Sequence, residues 1–292
     1  MNLNSYAKLN LYLEVIGRRR DNYHNIRTLF ERIDLGDKIS LKLRQDRKIR
    51  VICQGKFKVP SGSSNFAYRS AKLLQEKFSV KKGVDIKIKK SIPVASGLGG
   101  GSSNAAVVLI GLNKLWGLSL ERKDLAGLAA KLGSDTAFFI YDCPFAIGEW
   151  RGEKISCLPA LNKMRLWHLL IIPKMRVSTA SIYAKWDKFR ESFKLTRPRH
   201  NVKILLHGLK NADHGLIGKA LFNSLQEVTF KTHPFLKQAQ KELIKLGLEA
   251  ILMSGSGPAI FAILRSRKEA KALFKRIKQK KKSWQIFIAR TI

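Results

Sequence analysis

Pro93-Val94-Ala95-Ser96-Gly97-Leu98-Gly99-Gly100-Gly101-Ser102-Ser103 decides the reading of this chain. Four glycines among residues 97–101 remove the Cβ atoms that would hold a ligand away, and they crowd backbone N–H groups into one arc. Before the loop, Val84 to Ile88 alternates as a strand does. After it, from about Ser102 to Trp116, the chain is rich in Ala, Val and Leu and reads as a helix, with Ser102 or Ser103 as its expected cap. A glycine loop between a strand and a helix start offers free N–H groups and a partial positive charge, which suits a polyphosphate. The usual loops are excluded. A Walker loop needs a Lys that is missing here, and Ser102 occupies the third glycine position of GxGxxG. Protein-kinase signatures such as DFG are absent.

Outward from the loop, residues 8 to 15 alternate. Leu9, Leu11, Leu13 and Val15 share one face, and Lys8, Asn10, Tyr12 and Glu14 the other, as in a half-buried strand. A basic turn and Asp21-Asn22-Tyr23-His24 follow. Strands are predicted at Lys38 to Leu43 and Ile49 to Cys53, and a helix from Asn65 to Phe78 with Ala67, Ala71, Leu74 and Phe78 on one face. A second helix spans about Glu121 to Leu132, with Gly133 as its stop and Ser134-Asp135 next. Ser156 to Asn162 reads as a loop, and Leu166 to Ile172 as a new strand. Asp187 to Lys219 is basic and poorly periodic, and reads as loops and short helices. Helix Pro234 to Leu246, strand Ala250 to Met253, the turn Ser254-Gly255-Ser256-Gly257, strand Ala259 to Leu264, helix Arg267 to Lys281 and strand Trp284 to Ala289 close the chain. This order predicts an α+β protein of two lobes, residues 1–155 and 156–292.

The 292 residues are 45% hydrophobic, enough for a large core. No apolar run approaches the roughly 20 residues of a membrane span, and the start lacks a signal-peptide pattern. A cytoplasmic protein is expected. Cys53, Cys143 and Cys157 are widely spaced and odd in number, which argues against zinc and against a disulfide framework. Fifty-six Lys and Arg against twenty-one Asp and Glu give a formal charge of +35. Such a field attracts anions, nucleotides and nucleic acid included. The basic residues are spread along the chain, with local density at Arg18-Arg19-Arg20, Lys87-Lys89-Lys90 and Lys278 to Lys282, and read mainly as solvated surface. A specific nucleic-acid role is not expected.

The stretch PVASGLGGGSSNAA resembles the second motif of the GHMP kinases. AKLNLYLEVIGRRRDNYHNIRTLF is similar to an N-terminal motif of that family, and LMSGSGPAIFAI to its C-terminal glycine motif. The resemblance spans almost the whole chain in the right order. It implies a two-lobed GHMP kinase fold, with an N-terminal α/β lobe, a ferredoxin-like C-terminal lobe and the active site in the cleft between them. It also implies ATP as phosphoryl donor, bound by Pro93 to Ser103 with Asn65 near the adenine, and Mg²⁺ without a nameable protein ligand.

Lys8 and Asp135 match the family's catalytic pair. From local chemistry alone, Asp135 could equally be a turn cap and Lys8 a solvated strand charge. Asn10, Tyr23, His24 and Tyr183 match the substrate side of those members that phosphorylate a cytidyl-diphosphate-linked polyol. There the two tyrosines clamp the base and His24 reads it; Tyr183 alone also suits a core. The expected partner is therefore a small cytidyl diphosphate. Gly255 and Gly257 would pack a tight turn against the site. Departures from the family motifs bear on the site. Asn22 replaces a glycine before Tyr23, and Ala137 replaces a proline two residues after Asp135. A family member acting on another alcohol, or a basic relative that binds nucleic acid without catalysis, are the alternatives.

Overall fold

The computed structural model describes residues 1–192 and 201–292. Residues 193–200, in the middle of the poorly periodic stretch, lie outside the described residues.

The first sheet is built on two long strands, β1 (Asn2–Arg18) and β2 (His24–Arg44), paired antiparallel along nearly their whole length. β3 (Ile49–Gly55) and β4 (Gly83–Lys90) extend it in the order β3-β4-β2-β1. β4 covers only residues 38–44 of β2. Residues 26–31 of the same edge pair with β5 (Phe145–Trp150), which forms a hairpin with β6 (Lys154–Cys157). That hairpin was not evident from periodicity. Helices α1 (Phe66–Lys77), α2 (Gly100–Leu115) and α3 (Arg122–Leu132) pack against this sheet, and their Ala, Val and Leu faces meet Ile39, Leu41, Ile86 and Ile88 in one core. α2 is apolar on most sides because it sits between the sheet and its flanking helices.

The second sheet runs β7 (Trp167–Ile172), then, after helices, β9 (Ile251–Met253), β10 (Ile260–Leu264) and β11 (Gln285–Arg290). Its order is β11-β7-β10-β9, all antiparallel, which is the ferredoxin-like arrangement. Between β7 and β9 come α4 (Thr179–Ser192), α5 (Val202–Lys210), α6 (His214–Ala220), the two-residue β8 (Phe222–Asn223), α7 (Gln226–Thr232) and α8 (Pro234–Lys245). α9 (Arg267–Lys280) precedes β11. β8 returns to the first sheet and pairs parallel with Tyr12 and Leu13 of β1. A separate apolar core joins the sheets, with Leu9, Leu11, Leu29 and Phe145 against Leu170, Leu205, Ile217 and Phe261.

Three expectations need correction. β1 is not half-buried: Lys8, Asn10 and Tyr12 are as enclosed as the leucines, because elements of the second lobe cover the polar face. Bulges near Tyr6, Asn10 and Val15 also shift the alternation, so Leu9 and Leu11 pack in the core between the sheets while Leu13 and Val15 pack with the second sheet. Cys143 and Cys157 are paired as a disulfide, tying the segment after the 3-10 helix Ser134–Ile140 to β6. Spacing could not reveal this, since the two meet through the β5–β6 hairpin.

Candidate active site

One cavity of about 920 Å³ lies where the glycine loop, the start of β1, the β1–β2 turn, α4 and the turn after β9 converge. It brings together Lys8, Asn10, Tyr23, His24, Asn65, Asp135, Tyr183 and most of the loop. Of the loop residues, Leu98 and Ser103 turn away: Leu98 is fully buried, and Ser103 shares a hydrogen bond of 2.7 Å with Ser5.

The helix after the loop begins earlier than the sequence suggests. Gly99, with φ 69°, is the N-cap of α2, so Ser102 and Ser103 lie inside the first turn and do not cap it. No side chain caps this end and no acidic residue sits in its first turn. The first N–H groups of α2 therefore stay open beside the cavity. Two of the glycines are also required by packing. A Cβ on Gly97 (φ 80°) would collide with the carbonyl of Ser254, and one on Gly100 would meet Ile92 at 2.9 Å and Lys90 Nζ at 3.0 Å. The second-lobe turn is bound directly to the loop: Ser254 Oγ donates to the Gly97 carbonyl (3.0 Å), and Ala259 N donates to the Ser96 carbonyl (3.1 Å). Asn223 Nδ2 holds that turn by donating to the Met253 and Gly255 carbonyls.

Lys8 is enclosed. Its Nζ lies 3.0 Å from Asp135 Oδ2 and donates to Asn10 Oδ1 at 2.6 Å. Asn10 in turn donates to Thr28 Oγ1. Asn10 thus orients Lys8, and both of its polar ends are occupied. Asp135, on the first turn of the 3-10 helix, keeps 30% of its side chain exposed. Ala137 in place of proline leaves that helix formed, and the Lys8 contact aims the carboxylate. Asn65 is the N-cap of α1: its Oδ1 accepts from Ala67 N (2.8 Å) and its Nδ2 donates to the Pro60 carbonyl (2.6 Å).

At the other end of the cavity, Asn22 adopts φ 65°, so the asparagine does supply the turn that glycine would. Tyr23 is half exposed beneath the Arg151 guanidinium, 4.9 Å from the ring centroid. Tyr183 does not stack on Tyr23; it stacks on His24 at 4.8 Å. It lies on α4. Burial, with Asp135 as a second cause, pushes the Tyr183 hydroxyl well above its usual range.

Several lining residues escaped the sequence reading. Lys90 is buried and pairs with Asp37, which also accepts from Ser91 N and Ile92 N, while Asn104 Oδ1 accepts from Lys90. The signal was present: Lys90 continues the inward phase of Val84, Ile86 and Ile88, a place for a lysine only if it has a partner. Arg151 and Asp187 reach the cavity from the β5–β6 turn and α4, and nothing local marked them. Among the described residues no cluster of three potential metal ligands occurs, and no helix is long and apolar enough to cross a membrane.

Comparison with known proteins gives the family and the fold. The model for the GHMP kinases N terminal domain matches residues 65–143, and that for the GHMP kinases C terminal matches residues 205–283. The chain is 41% identical over 259 residues to the 4-diphosphocytidyl-2-C-methyl-D-erythritol kinase of Bacillus cereus (strain B4264), covering 88% of this chain and 86% of that one. It is 41% identical over 266 residues to the enzyme of the same name from Geobacillus kaustophilus (strain HTA426), covering 90% and 88%. A crystal structure of 4-(cytidine 5'-diphospho)-2C-methyl-D-erythritol kinase superposes with a TM-score of 0.81 at 30% identity, covering 99% of this chain and 98% of that one. Mevalonate kinase of L. major shares the fold, at TM-score 0.79 and 16% identity, over 100% of this chain and 95% of that one.

Proposed function

The chain belongs to the GHMP kinases, and from that premise we propose that it transfers the γ-phosphoryl group of ATP to the 2-hydroxyl of 4-diphosphocytidyl-2-C-methyl-D-erythritol, in the non-mevalonate route to isoprenoid precursors. The products are the 2-phosphate and ADP. The observation that carries this reading is the Lys8–Asp135 pair, 3.0 Å apart, on the wall of a cavity that also holds an uncapped helix start and a glycine loop. The 41% identity to curated kinases of that substrate supports the choice among alcohols.

In this reading the loop N–H groups and the start of α2 receive the ATP phosphates. Asp135 takes the proton of the attacking hydroxyl, and Lys8 aims that carboxylate and offsets charge on the reacting oxygens. Most of the catalysis is positioning and electrostatic stabilisation. Mg²⁺ accompanies ATP and takes much of its coordination from phosphates and water. The Ser102 hydroxyl is a protein oxygen on the wall that would complete its shell, where it would draw charge off the phosphates. Tyr23, His24 and Tyr183 receive the cytosine at the far end. The lobe boundary expected at residue 155 would fall inside β6, so it is proposed a few residues later, between the end of that strand at Cys157 and β7.

An ADP-release assay tests this directly, comparing the cytidyl substrate with methylerythritol phosphate lacking the cytidyl group. Turnover is expected only with the first. Equal turnover with both would remove the nucleotide end from the proposal.

A further inference from the structure

We propose that Asp187 is a positioning residue for His24 and that, through the imidazole, it makes the site select a cytosine over a uracil ring. The inference rests on the reading that His24 meets the base.

α4 crosses from the second lobe to the β1–β2 turn of the first. There His24 Nε2 lies 2.7 Å from Asp187 Oδ1, and Arg18 Nη1 lies 3.7 Å from Asp187 Oδ2. Both side chains are largely enclosed, at 7% and 18% exposure, yet both line the cavity. The ring has little freedom: Tyr183 stacks on its face at 4.8 Å, and Trp186 stands edge-on at 5.9 Å.

An ionised carboxylate only accepts hydrogen bonds, so the proton of the neutral ring sits on Nε2. That leaves Nδ1 as a bare acceptor, and it has no hydrogen-bond partner among the described residues. An acceptor on the wall matches the exocyclic amino group of cytosine, which donates. Uracil carries a carbonyl oxygen at that position, so two acceptors would face each other with no proton between them. A site built to bond one partner rejects the analogue that leaves its polar group unpaired. Without the carboxylate, the imidazole is free to take the other tautomer, with Nδ1–H as a donor, and the preference fades. The same logic orients metal-bound and catalytic histidines through a second carboxylate.

The test measures kcat and KM for the cytidyl substrate and for its uridyl analogue, in the unmodified protein and in Asp187→Ala, Asp187→Asn, Asp187→Glu and His24→Ala. Removing Asp187 should raise the cytidyl KM about tenfold, the weight of one hydrogen bond. It should leave kcat and the KM for ATP in place and lower the cytidyl-to-uridyl ratio of kcat/KM by a similar factor. Asp187→Asn, nearly isosteric, can either accept from Nε2–H or donate to a bare Nε2, so it no longer fixes the tautomer and should lower the ratio, though less than alanine does; it carries the test if the alanine variant fails to fold. Asp187→Glu should recover part of the ratio. An unchanged ratio in the Asp187 variants, alongside a fall in His24→Ala, overturns the role of Asp187 while the base reading stands. An unchanged ratio in His24→Ala removes the base reading itself. A joint loss of kcat and of affinity for ATP in Asp187→Asn would mark a structural brace and overturn the inference.

Discussion

Lys8 and Asp135 show how little a local reading of a charged residue settles. In sequence one is a strand lysine and the other follows a helix stop. In the fold the lysine is almost fully enclosed and its ammonium is shared between Asp135 and Asn10. Asp135→Asn should lower turnover by on the order of 10² to 10⁴ while ATP still binds. Single-turnover kinetics with an ATP-binding measurement checks this, and near-normal turnover would remove Asp135 as the base. Gly100 is a second case. Its glycine suggested room for phosphate, but the missing Cβ points at Ile92 and Lys90. Gly100→Val should therefore weaken ATP binding by displacing the start of α2, and isothermal titration should show a loss of at least about tenfold. Unchanged affinity would mean that the helix start does not meet the phosphates. Which glycines were needed was legible in the sequence; the direction of each absent side chain was not.

At the scale of elements, the strands and helices around the loop were readable because their apolar residues repeat at two and at three to four residues. α1 is an example, since Asn65 caps it and Ala67, Ala71 and Leu74 form its buried stripe. Asn65→Ala should cost about 1 kcal/mol through the lost cap, read as a lower midpoint in urea with an unchanged slope. No loss would mean the cap is replaced by water. The β5–β6 hairpin and α4 were missed for different reasons. β5 completes an edge of β2 that β4 leaves uncovered, so its stability comes from pairing and not from its own pattern. α4 mixes polar, basic and aromatic residues, because it faces the core on one side and the cavity on the other.

At the scale of the whole molecule, the lobes are held together by more than the apolar core between the sheets. Glu31 of β2 accepts hydrogen bonds from His168 of β7 (2.7 Å) and from Thr291 (2.5 Å), and all three are fully buried. Thr291 also receives Leu166 N and returns its own N–H to the Leu166 carbonyl. Glu31→Ala leaves two buried donors without an acceptor, at about 1–3 kcal/mol each. The expected result is a urea midpoint lowered accordingly and a single transition, since the apolar core between the sheets still joins the lobes in the variant. Two separated transitions would mean that this cluster is what couples the lobes' unfolding.

The sequence by itself determined the α+β class, the glycine loop between a strand and a helix, and the membership in a kinase family. These depend on spacing and residue type within one segment, and such information survives in a linear string. Only the tertiary structure decided that the loop's glycines admit Ser254 and Ile92, that Lys90 and Asp37 sit buried beside the helix start, and that Asp187 reaches His24 across 163 residues of chain. Each of those depends on two lobes meeting face to face. The energy of such a meeting lies in burial and hydrogen bonds between distant segments, for which no single segment carries a pattern.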